Sequence, residues 1–484
     1  MPHTRDTATA GRRLPGSSMV FYAIGQNAEG IQSAAFHTFL LFYYQQVIGV
    51  SGTLTGVALA LALLADAITD PIAGSISDQT RTRFGRRHPY IVGATLPLAL
   101  SFTMLFNPPG DAPEMISFLW LLTFAVCTRI SLTFYQIPHL ALGAELTDST
   151  VRRSSLYNVA ALARLGGEGV VPLIAYLLFF PTTAEFNPGT LNGDGYLWFS
   201  VFFAAWMVTV ILTSAVGTAP EIPHLKNVAR NPGGRWFSGY GEMLEALGNR
   251  SFRSLFYFIF AFGLVTSVTG VVSPFMAFHF WGLTTEQLAL IVILAAPAVL
   301  PTMFVVPWLT HRFDRREILV GSTIWMLIVT SWAVTLRLAG VDWFPGNDSE
   351  WVFVIILANT ACYAFSLPIF LSASDSMMAD IADEIDLETG HRREGVLFAA
   401  RAFTSKATGS LGLFVGGVLL DVIRFPENAA VGSVSETTVW QLGLIAGPAT
   451  SALLLLSLIF LRHYRLTRQH YRAIRGALRD RDDA

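Results

Sequence analysis

The sequence of 484 residues contains little charge for its length. Only 14% of the residues are Asp, Glu, Lys or Arg, and 52% are hydrophobic, whereas a soluble globular domain carries about 25% charged residues. The mean hydropathy is +0.50. The apolar residues lie in blocks long enough to cross a bilayer as a helix, which takes about 20 residues. The composition therefore excludes an ordinary soluble globule and indicates an integral membrane protein.

Cysteine is also scarce, and the common catalytic motifs are missing. Cys127 and Cys362 are the only cysteines, and both lie in apolar runs. Free cysteine usually packs as a small hydrophobic residue, so the sequence suggests no disulfide framework and no zinc site. The sequence has no glycine-rich phosphate loop and no nucleophile elbow. We therefore expect no enzymatic activity, no cofactor, no ATP coupling and no nucleic-acid partner, and active transport would use an ion gradient.

Twelve long apolar runs predict twelve transmembrane helices. The runs are continuously apolar, whereas the strands of a membrane barrel alternate over about 10 residues. The predicted spans are 19–48, 52–77, 89–106, 114–141, 155–180, 195–217, 252–280, 287–311, 317–338, 351–378, 395–420 and 438–461.

Lysine and arginine are segregated between the two sides of these spans. Of 32 such residues, 26 lie in or beside the termini and the loops that follow even-numbered spans, two lie near the opposite loops, and four lie within spans. Cytoplasmic loops carry an excess of Lys and Arg. This bias predicts cytoplasmic termini and a multi-pass protein of the cell membrane, which is the inner membrane in a bacterium.

The longest internal polar stretch, 219–250, divides the twelve spans into six and six. Two such halves are typical of secondary transporters. We predict an all-α protein with a cytoplasmic tail (1–18), a six-helix bundle (19–218), a cytoplasmic linker (219–250), a second bundle (251–462) and a basic tail (463–484). The basic tail is either a helix at the inner headgroups or a disordered segment.

Two aspartates interrupt the apolar part of the second span, in the stretch LLADAITDPIAG. Asp66 and Asp70 are four residues apart and share one helix face. That face cannot contact lipid, because an unpaired carboxylate in hydrocarbon costs several kcal/mol. A Na⁺ ion, with the Thr69 hydroxyl as a further oxygen ligand, or a shared proton would relieve their repulsion. The alternative is an ion pair that only holds helices together.

Lys406 is the predicted partner of these carboxylates. It lies in the middle of a span and is one of only two lysines, beside 30 arginines. A buried lysine can lose its proton, whereas arginine keeps its charge, so Lys406 could release the carboxylates when a cation arrives. The alternative is that Lys406 extends to the membrane interface.

Other polar residues recur at helical spacing within spans. They are Arg129, Thr133 and Gln136 on span 4, Glu29 and Ser33 on span 1, and Arg164 with Glu168 on span 5. We expect the span 5 pair to interact within its own helix.

Two segments resemble conserved motifs of the glycoside–pentoside–hexuronide:cation symporters, a branch of the major facilitator superfamily. They are DAITDPIAGSISDQTRTRFGRRHP (66–89) and SMMADIADEIDLETGHRREGVLFAARAFTSKATGS (376–410), in opposite halves of the chain. The resemblance implies the major facilitator fold and symport of a cation, Na⁺ or H⁺, with a small solute by alternating access. It also implies that the partners are this solute, the cation and the lipid bilayer, and we expect a monomer.

The resemblance also implies roles for individual residues. The cation-binding candidates are Asp66, Thr69, Asp70, Thr133 and Gln136, with Na⁺ possible at the two aspartates and Lys406 as their charge partner. The substrate-binding candidates are Glu29, Arg129, Gln136 and Lys406. The gating candidates, which hold helix ends together, are Asp78, Arg86, Arg87, Asp380, Asp383, Arg392, Arg393 and Glu394.

The substrate prediction rests on two departures from the family pattern. The melibiose permease, a member of this family, has acidic residues at positions that correspond to Gly30, beside Glu29, and to Gln136 here. We therefore expect that α-galactosides such as melibiose are not transported, and that Arg129 contacts the substrate if it is anionic. The alternative is that Arg129 pairs with Glu29 or another acidic side chain. Three functions compete: symport of a sugar, glycoside or related solute, symport of an amphiphilic or lipid-like substrate, and a non-transporting membrane sensor.

Overall fold

A computed structural model describes residues 15–225 except 148, residues 245–464 except 391–393, and residues 466 and 468–482. Within these residues every regular element is a helix. The α-helices of the first half are α1 (Gly16–Gly25), α2 (Asn27–Ala34), α3 (Gly52–Gln79), α4 (His88–Gly93), α5 (Thr95–Leu105), α6 (Glu114–Glu145), α7 (Thr150–Ile174) and α8 (Gly193–Thr218).

The second half repeats this pattern of long apolar helices. Its α-helices are α9 (Arg250–Phe275), α10 (Thr285–Ala295), α11 (Thr302–Arg312), α12 (Arg315–Leu338), α13 (Glu350–Thr389), α14 (Glu394–Val422), α15 (Glu436–Leu444), α16 (Thr450–Ser457) and α17 (Arg468–Asp482). Most of the predicted linker, residues 226–244, lies outside the described residues.

Ten helical stretches in the described residues are long and apolar enough to cross a membrane. A bent pair, Thr285–Val299 with Thr302–Arg312, makes an eleventh, with 45° between its parts. The predicted first span, 19–48, is helical but divided into α1, α2 and two π-helical turns, Ala35–Leu40 and Tyr43–Ile48.

The division between α1 and α2 coincides with two side-chain contacts from α6. The Tyr135 hydroxyl on α6 donates a hydrogen bond of 2.6 Å to the Gly25 carbonyl oxygen, the atom that accepts from the Glu29 N–H group in a regular helix. Gln26, at the break, hydrogen-bonds through its side chain to His139, also on α6. The break in this span therefore lies where α6 contacts both its backbone and its side chains.

The two halves share one hydrophobic core at the end of the molecule opposite the termini, which we call the far end. This core combines side chains of the first half, such as Phe39 and Phe42, with side chains of the second half, such as Phe275 and Phe425. Phe42 contacts Phe275 directly, with ring centroids 5.2 Å apart. Burial of apolar area therefore joins the halves at this end.

At the other end, which carries the described parts of the termini and which we call the terminal end, each half has its own core. Tyr22 and Leu156 belong to a small cluster of the first half. Phe252, Ile381 and Ile474 belong to a cluster formed by second-half residues. The halves are thus packed together at the far end and packed separately at the terminal end.

Helices α3 and α14, which lie on opposite sides of the boundary between the halves, approach each other closely at two glycines. A Cβ atom added at Gly417 would lie 2.0 Å from the Gly52 carbonyl oxygen, and one added at Gly52 would lie 2.5 Å from the Gly417 carbonyl oxygen. Backbone atoms cannot move aside as a flexible side chain can, so this crossing requires glycine at both positions.

We therefore predict that Gly417→Ala lowers the thermal stability of the purified protein, since overpacking a tight contact typically costs about 1 to 3 kcal/mol. Gly270→Ala in α9 is the matched control, because nothing lies within 4 Å of a Cβ atom there. Thermal unfolding in one detergent measures both. Equal melting temperatures for the two variants would contradict the close approach of α3 and α14.

Candidate functional site

The two aspartates of α3 face α6 in the middle of the membrane-spanning region. Asp66 is 4% exposed, and its Oδ2 lies 3.2 Å from Nη1 of Arg129. The Arg129 guanidinium also lies over the Phe36 ring, 4.7 Å from its centroid. Arg129 is therefore held by one carboxylate and one aromatic face, and both contacts lie within the first half of the chain.

Asp70 is the residue of this site that contacts the second half of the chain. Lys406 of α14 contacts Asp70 Oδ2 through its ammonium nitrogen. The Thr133 hydroxyl lies 3.0 Å from Asp70 Oδ1 and 3.4 Å from Asp66 Oδ1. A hydroxyl has one proton to donate, so Thr133 can bond to either carboxylate, and its position between them links the two.

The four charges of this site balance formally. Asp66 and Asp70 supply two negative charges, and Arg129 and Lys406 supply two positive charges at hydrogen-bonding distance. Removing one partner from a buried pair leaves an uncompensated charge, which is strongly unfavourable. A cation or proton can therefore replace Lys406 at Asp70 without leaving that carboxylate unpaired, and this exchange is the chemistry that the arrangement permits.

Thr69, predicted as a cation ligand, lies on the same helix but hydrogen-bonds elsewhere. Its hydroxyl donates to the Ala65 carbonyl oxygen at 2.8 Å. This bond to the backbone one turn earlier is common for threonine in helices. The structure therefore brings Asp66, Asp70, Thr133 and Lys406 together and directs the Thr69 hydroxyl proton away from them.

Glu29 and Gln136 belong to a second polar cluster, on the first half of the chain. Gln136 lies beside the Glu29 carboxyl group, and Arg164 Nη1 lies 3.9 Å from Glu29 Oε1. Arg164 also pairs with Glu168 on its own helix at 2.8 Å, as expected. The acidic partner of Arg129 is thus Asp66, and Glu29 interacts with Arg164 instead.

The loop motif after α3 forms a compact ion-pair cluster at the terminal end. Arg87 contacts Asp78 and lies 2.9 Å from Glu145 at the end of α6, and Arg86 lies 2.8 Å from the same carboxylate. Gly85 between them and α3 has φ +76°, a conformation that favours glycine. The gating candidates of the first half therefore tie α3 to α6.

The second-half motif makes different contacts. Asp380 pairs with Arg315 at the start of α12, and Asp383 accepts a hydrogen bond of 3.0 Å from the Tyr471 hydroxyl on α17. Of the remaining gating candidates, Arg392 and Arg393 lie outside the described residues, as does the side chain of Glu394.

Two functional candidates were missed by the sequence analysis. Glu145 joins both loop arginines, and Arg401 on α14 pairs with Asp375 on α13. The sequence contained a signal for Arg401, because this residue lies inside a predicted span, five residues before Lys406. It contained no signal for Glu145, which lies at a helix end where carboxylates are common. Among the described residues, no group of three or more His, Cys, Asp or Glu side chains could hold a metal ion.

Comparison with known proteins identifies relatives over nearly the whole chain. A family model described as MFS/sugar transport protein matches residues 21–468. A protein named as a symporter in Synechocystis sp. is 23% identical and aligns over 98% of each chain. The isoprimeverose transporter of Lactiplantibacillus pentosus is 21% identical over 92% of this chain and 88% of its own. The crystal structure of a D-xylose-proton symporter superposes with a TM-score of 0.58 at 13% identity, covering 94% of this chain and 98% of that one, which shows a shared fold.

The Arg129–Asp66 pair generates a stability prediction. Arg129→Gln leaves Asp66 buried without its cation, and we expect a loss of about 3 kcal/mol or more. Adding Asp66→Asn removes the orphaned charge, so the double variant should be more stable than Arg129→Gln alone. Thermal unfolding of the two single variants and the double variant gives the interaction free energy between the two side chains. Additive losses would show that the two side chains do not interact.

Proposed function

The chain belongs to the MFS/sugar transport protein family, a family of membrane transporters rather than enzymes, and we propose that it is a cation-coupled symporter of a small polar solute. The observation that carries this proposal is the contact between Lys406 of the second half and Asp70 of the first. Because a cation-coupled transporter must link ion binding to movement of its halves, an acid–base pair at their boundary is the expected location of a coupling site.

We also propose the complete topology of twelve spans in two six-helix bundles, with both termini in the cytoplasm. The segmented helices of residues 16–48 and the bent pair α10–α11 supply two crossings beside the ten long apolar stretches. The excess of Lys and Arg at the terminal end supports a cytoplasmic location for that end.

In this proposal Asp66, Asp70 and Thr133 bind the coupling cation, and Lys406 is its competitor. Arg129 keeps Asp66 charge-balanced, so Asp70 is the carboxylate that exchanges its partner. When a proton or Na⁺ reaches Asp70, Lys406 is released and the link between the halves weakens. Cation binding would thereby change the relative stability of the conformations, which is the requirement for coupling.

We further propose that the conformation described here is open towards the cytoplasm. The described hydrogen bonds between the halves lie at the far end, apart from the Lys406–Asp70 contact. Asp421 accepts from the Gly52 and Thr53 backbone N–H groups at 2.8 and 2.7 Å, and Gln46 donates to the Pro426 carbonyl oxygen at 2.8 Å. Further examples are the bonds of Thr182 to Glu286 and of Val431 to Asn187.

The substrate would enter the cleft between the halves and meet its partly exposed charged side chains. Their exposure supports this, because charged groups at this depth are placed towards a cavity rather than towards lipid. The side chain of Lys406 is 38% exposed and that of Arg164 35%, whereas the side chain of Arg129 is 10% exposed and engaged by Asp66. Among the substrate candidates, Lys406 and Glu29 are therefore better placed than Arg129. We still propose that α-galactosides are not transported, because neither Gly30 nor Gln136 provides a carboxylate.

The experiment that tests the function is ion-driven uptake in proteoliposomes containing the full chain. Asp70→Asn should abolish accumulation, because the exchanging carboxylate is gone, and Lys406→Arg should reduce it strongly, because arginine cannot give up its charge. Asp194→Asn is the control, since Asp194 is an exposed carboxylate in the first turn of α8. Sugars, uronides and a lysophospholipid, each under Na⁺ and H⁺ gradients, identify the substrate class.

Three results would contradict this assignment. Normal accumulation by Asp70→Asn would show that the carboxylate is only structural. Normal transport by Lys406→Arg, with an unchanged dependence on pH, would show a fixed ion pair instead of an exchanging one. No ion-driven uptake of any class by the unmodified protein, while a solute still binds, would favour the membrane sensor.

Alternating access predicts that a covalent link at the far end stops transport. The Thr182 and Thr285 hydroxyls lie 2.8 Å apart on opposite halves, so cysteines there are close enough to join. In a chain with Cys127 and Cys362 replaced by serine, Thr182→Cys with Thr285→Cys should lose transport on oxidation and regain it on reduction. Each single cysteine variant is the control. Undiminished transport by the cross-linked protein would refute opening at the far end.

A further inference from the structure

The C-terminal helix α17 has two different faces. Tyr471, Ile474 and Leu478 follow one another at intervals of three and four residues, and Ile474 and Leu478 pack against the core of the second half. Arginines recur on another face at the same kind of interval: Arg468, Arg472, Arg475 and Arg479. Because residues three and four apart lie on one side of a helix, these arginines form a continuous stripe.

Three described contacts fasten α17 to the rest of the second half. Arg468 donates to the His311 carbonyl oxygen at 3.1 Å, at the end of α11. The Tyr471 hydroxyl donates to Asp383, and near the helix end Arg481 pairs with Asp386 at 3.1 Å. The helix is thus positioned by residues outside the stripe and by the first arginine of the stripe, and the remaining three arginines form no ion pair among the described residues.

The arginine stripe forms one wall of a cavity of about 880 Å³ at the terminal end. The opposite walls come from the end of α11, the start of α12 and the middle of α13. Among the lining residues are Ser372, Ser376, Asp314, Asp380 and Arg315. This volume lies within the range of small-molecule and headgroup sites, about 300 to 1,000 Å³.

The charge of this cavity is strongly positive. Its lining contains five arginines and two aspartates. Both aspartates have partners, since Asp380 pairs with Arg315 and Asp314 lies 4.0 Å from Arg468. Arg472, Arg475 and Arg479 are in no ion pair among the described residues. Three guanidinium groups on one wall therefore face a concave space without a neutralising carboxylate.

We propose that this cavity binds a phosphate-bearing anion through Arg472, Arg475 and Arg479. Arginine presents a planar set of donors that matches two phosphate oxygens at once, and such charge-assisted bonds are among the strongest in proteins. The ligand is either the headgroup of an anionic phospholipid in the adjoining leaflet or a soluble phosphate compound. Binding would fix α17 against the ends of α11 and α12, at the side of the molecule where the halves are packed separately.

The test uses the full chain in nanodiscs and compares two probes. The first is phosphatidylglycerol, titrated into phosphatidylcholine nanodiscs and followed by native mass spectrometry. The second is inorganic pyrophosphate, added to protein in phosphatidylcholine alone and followed by thermal shift. We expect saturable binding of at least one probe. The variant combines Arg472→Gln, Arg475→Gln and Arg479→Gln, and we expect it to bind at least about tenfold more weakly, a modest loss for three charge-assisted bonds.

The control variant combines Arg81→Gln, Arg83→Gln and Arg152→Gln. It removes three exposed arginines from the terminal end but outside the cavity, so it keeps the overall change in charge the same.

A third variant, Arg472→Lys with Arg475→Lys and Arg479→Lys, should bind with intermediate affinity, since lysine keeps the charge but not the paired donors. Binding of phosphatidylglycerol alone would identify the lipid source, and binding of pyrophosphate would identify a soluble one. Equal weakening in the stripe and control variants, or no saturable binding of either probe, would overturn the proposal.

Discussion

The arrangement depends on two carboxylates within the membrane-spanning region, Asp66 buried and Asp70 partly exposed. Asp66 and Asp70 can be tolerated there only if other groups compensate their charge, and the compensation comes from two different places. Arg129 neutralises Asp66 from the neighbouring helix of the same half, whereas Lys406 reaches Asp70 from the opposite half. The first pair can persist when the halves move relative to each other, and the second cannot. The requirement for neutrality at Asp70 therefore becomes a constraint on the relative position of the halves.

The packing at the far end complements this electrostatic link. There the halves share an apolar core, and Gly52 and Gly417 allow α3 and α14 to approach until backbone meets backbone. The Asp421 carboxylate caps the first turn of α3 from across the boundary, where backbone N–H groups and the helix dipole favour a negative charge. Glycine contacts and backbone hydrogen bonds of this kind are separable without leaving a charged group in hydrocarbon, because the far end borders the aqueous phase in the proposed topology.

Much of this could be predicted from the sequence because the membrane limits the choices. Helical spacing placed Asp66 and Asp70 on one face, and depth within the spans indicated that Lys406 would meet them. The spacing of polar residues along each helix did not reveal which neighbouring helix they would contact. Arg129 could have paired with Glu29, with another acidic side chain or with a substrate, and in the structure it pairs with Asp66. The break in the first span was not predictable either, because it coincides with a hydrogen bond from the Tyr135 hydroxyl, on a helix more than a hundred residues away. The local sequence pattern therefore predicts the helix face and the membrane depth of each polar residue, whereas tertiary packing decides which residue it pairs with.

The pairing of Arg129 also bears on substrate selectivity. Arg129 already neutralises a buried carboxylate and lies over an aromatic ring, so an anionic ligand would have to compete with Asp66 for its positive charge. The partly exposed charges around the cleft are of both signs: Lys406 and Arg164 are positive, and Glu29 and Glu168 are negative. The charged groups of this surface are of both signs and already pair with one another. Such a surface favours a polar solute that forms several hydrogen bonds with it, and it disfavours a solute held by a single strong charge. Release of Lys406 by a cation would add a free donor to this surface, so ion binding and solute binding would be linked through the same side chain.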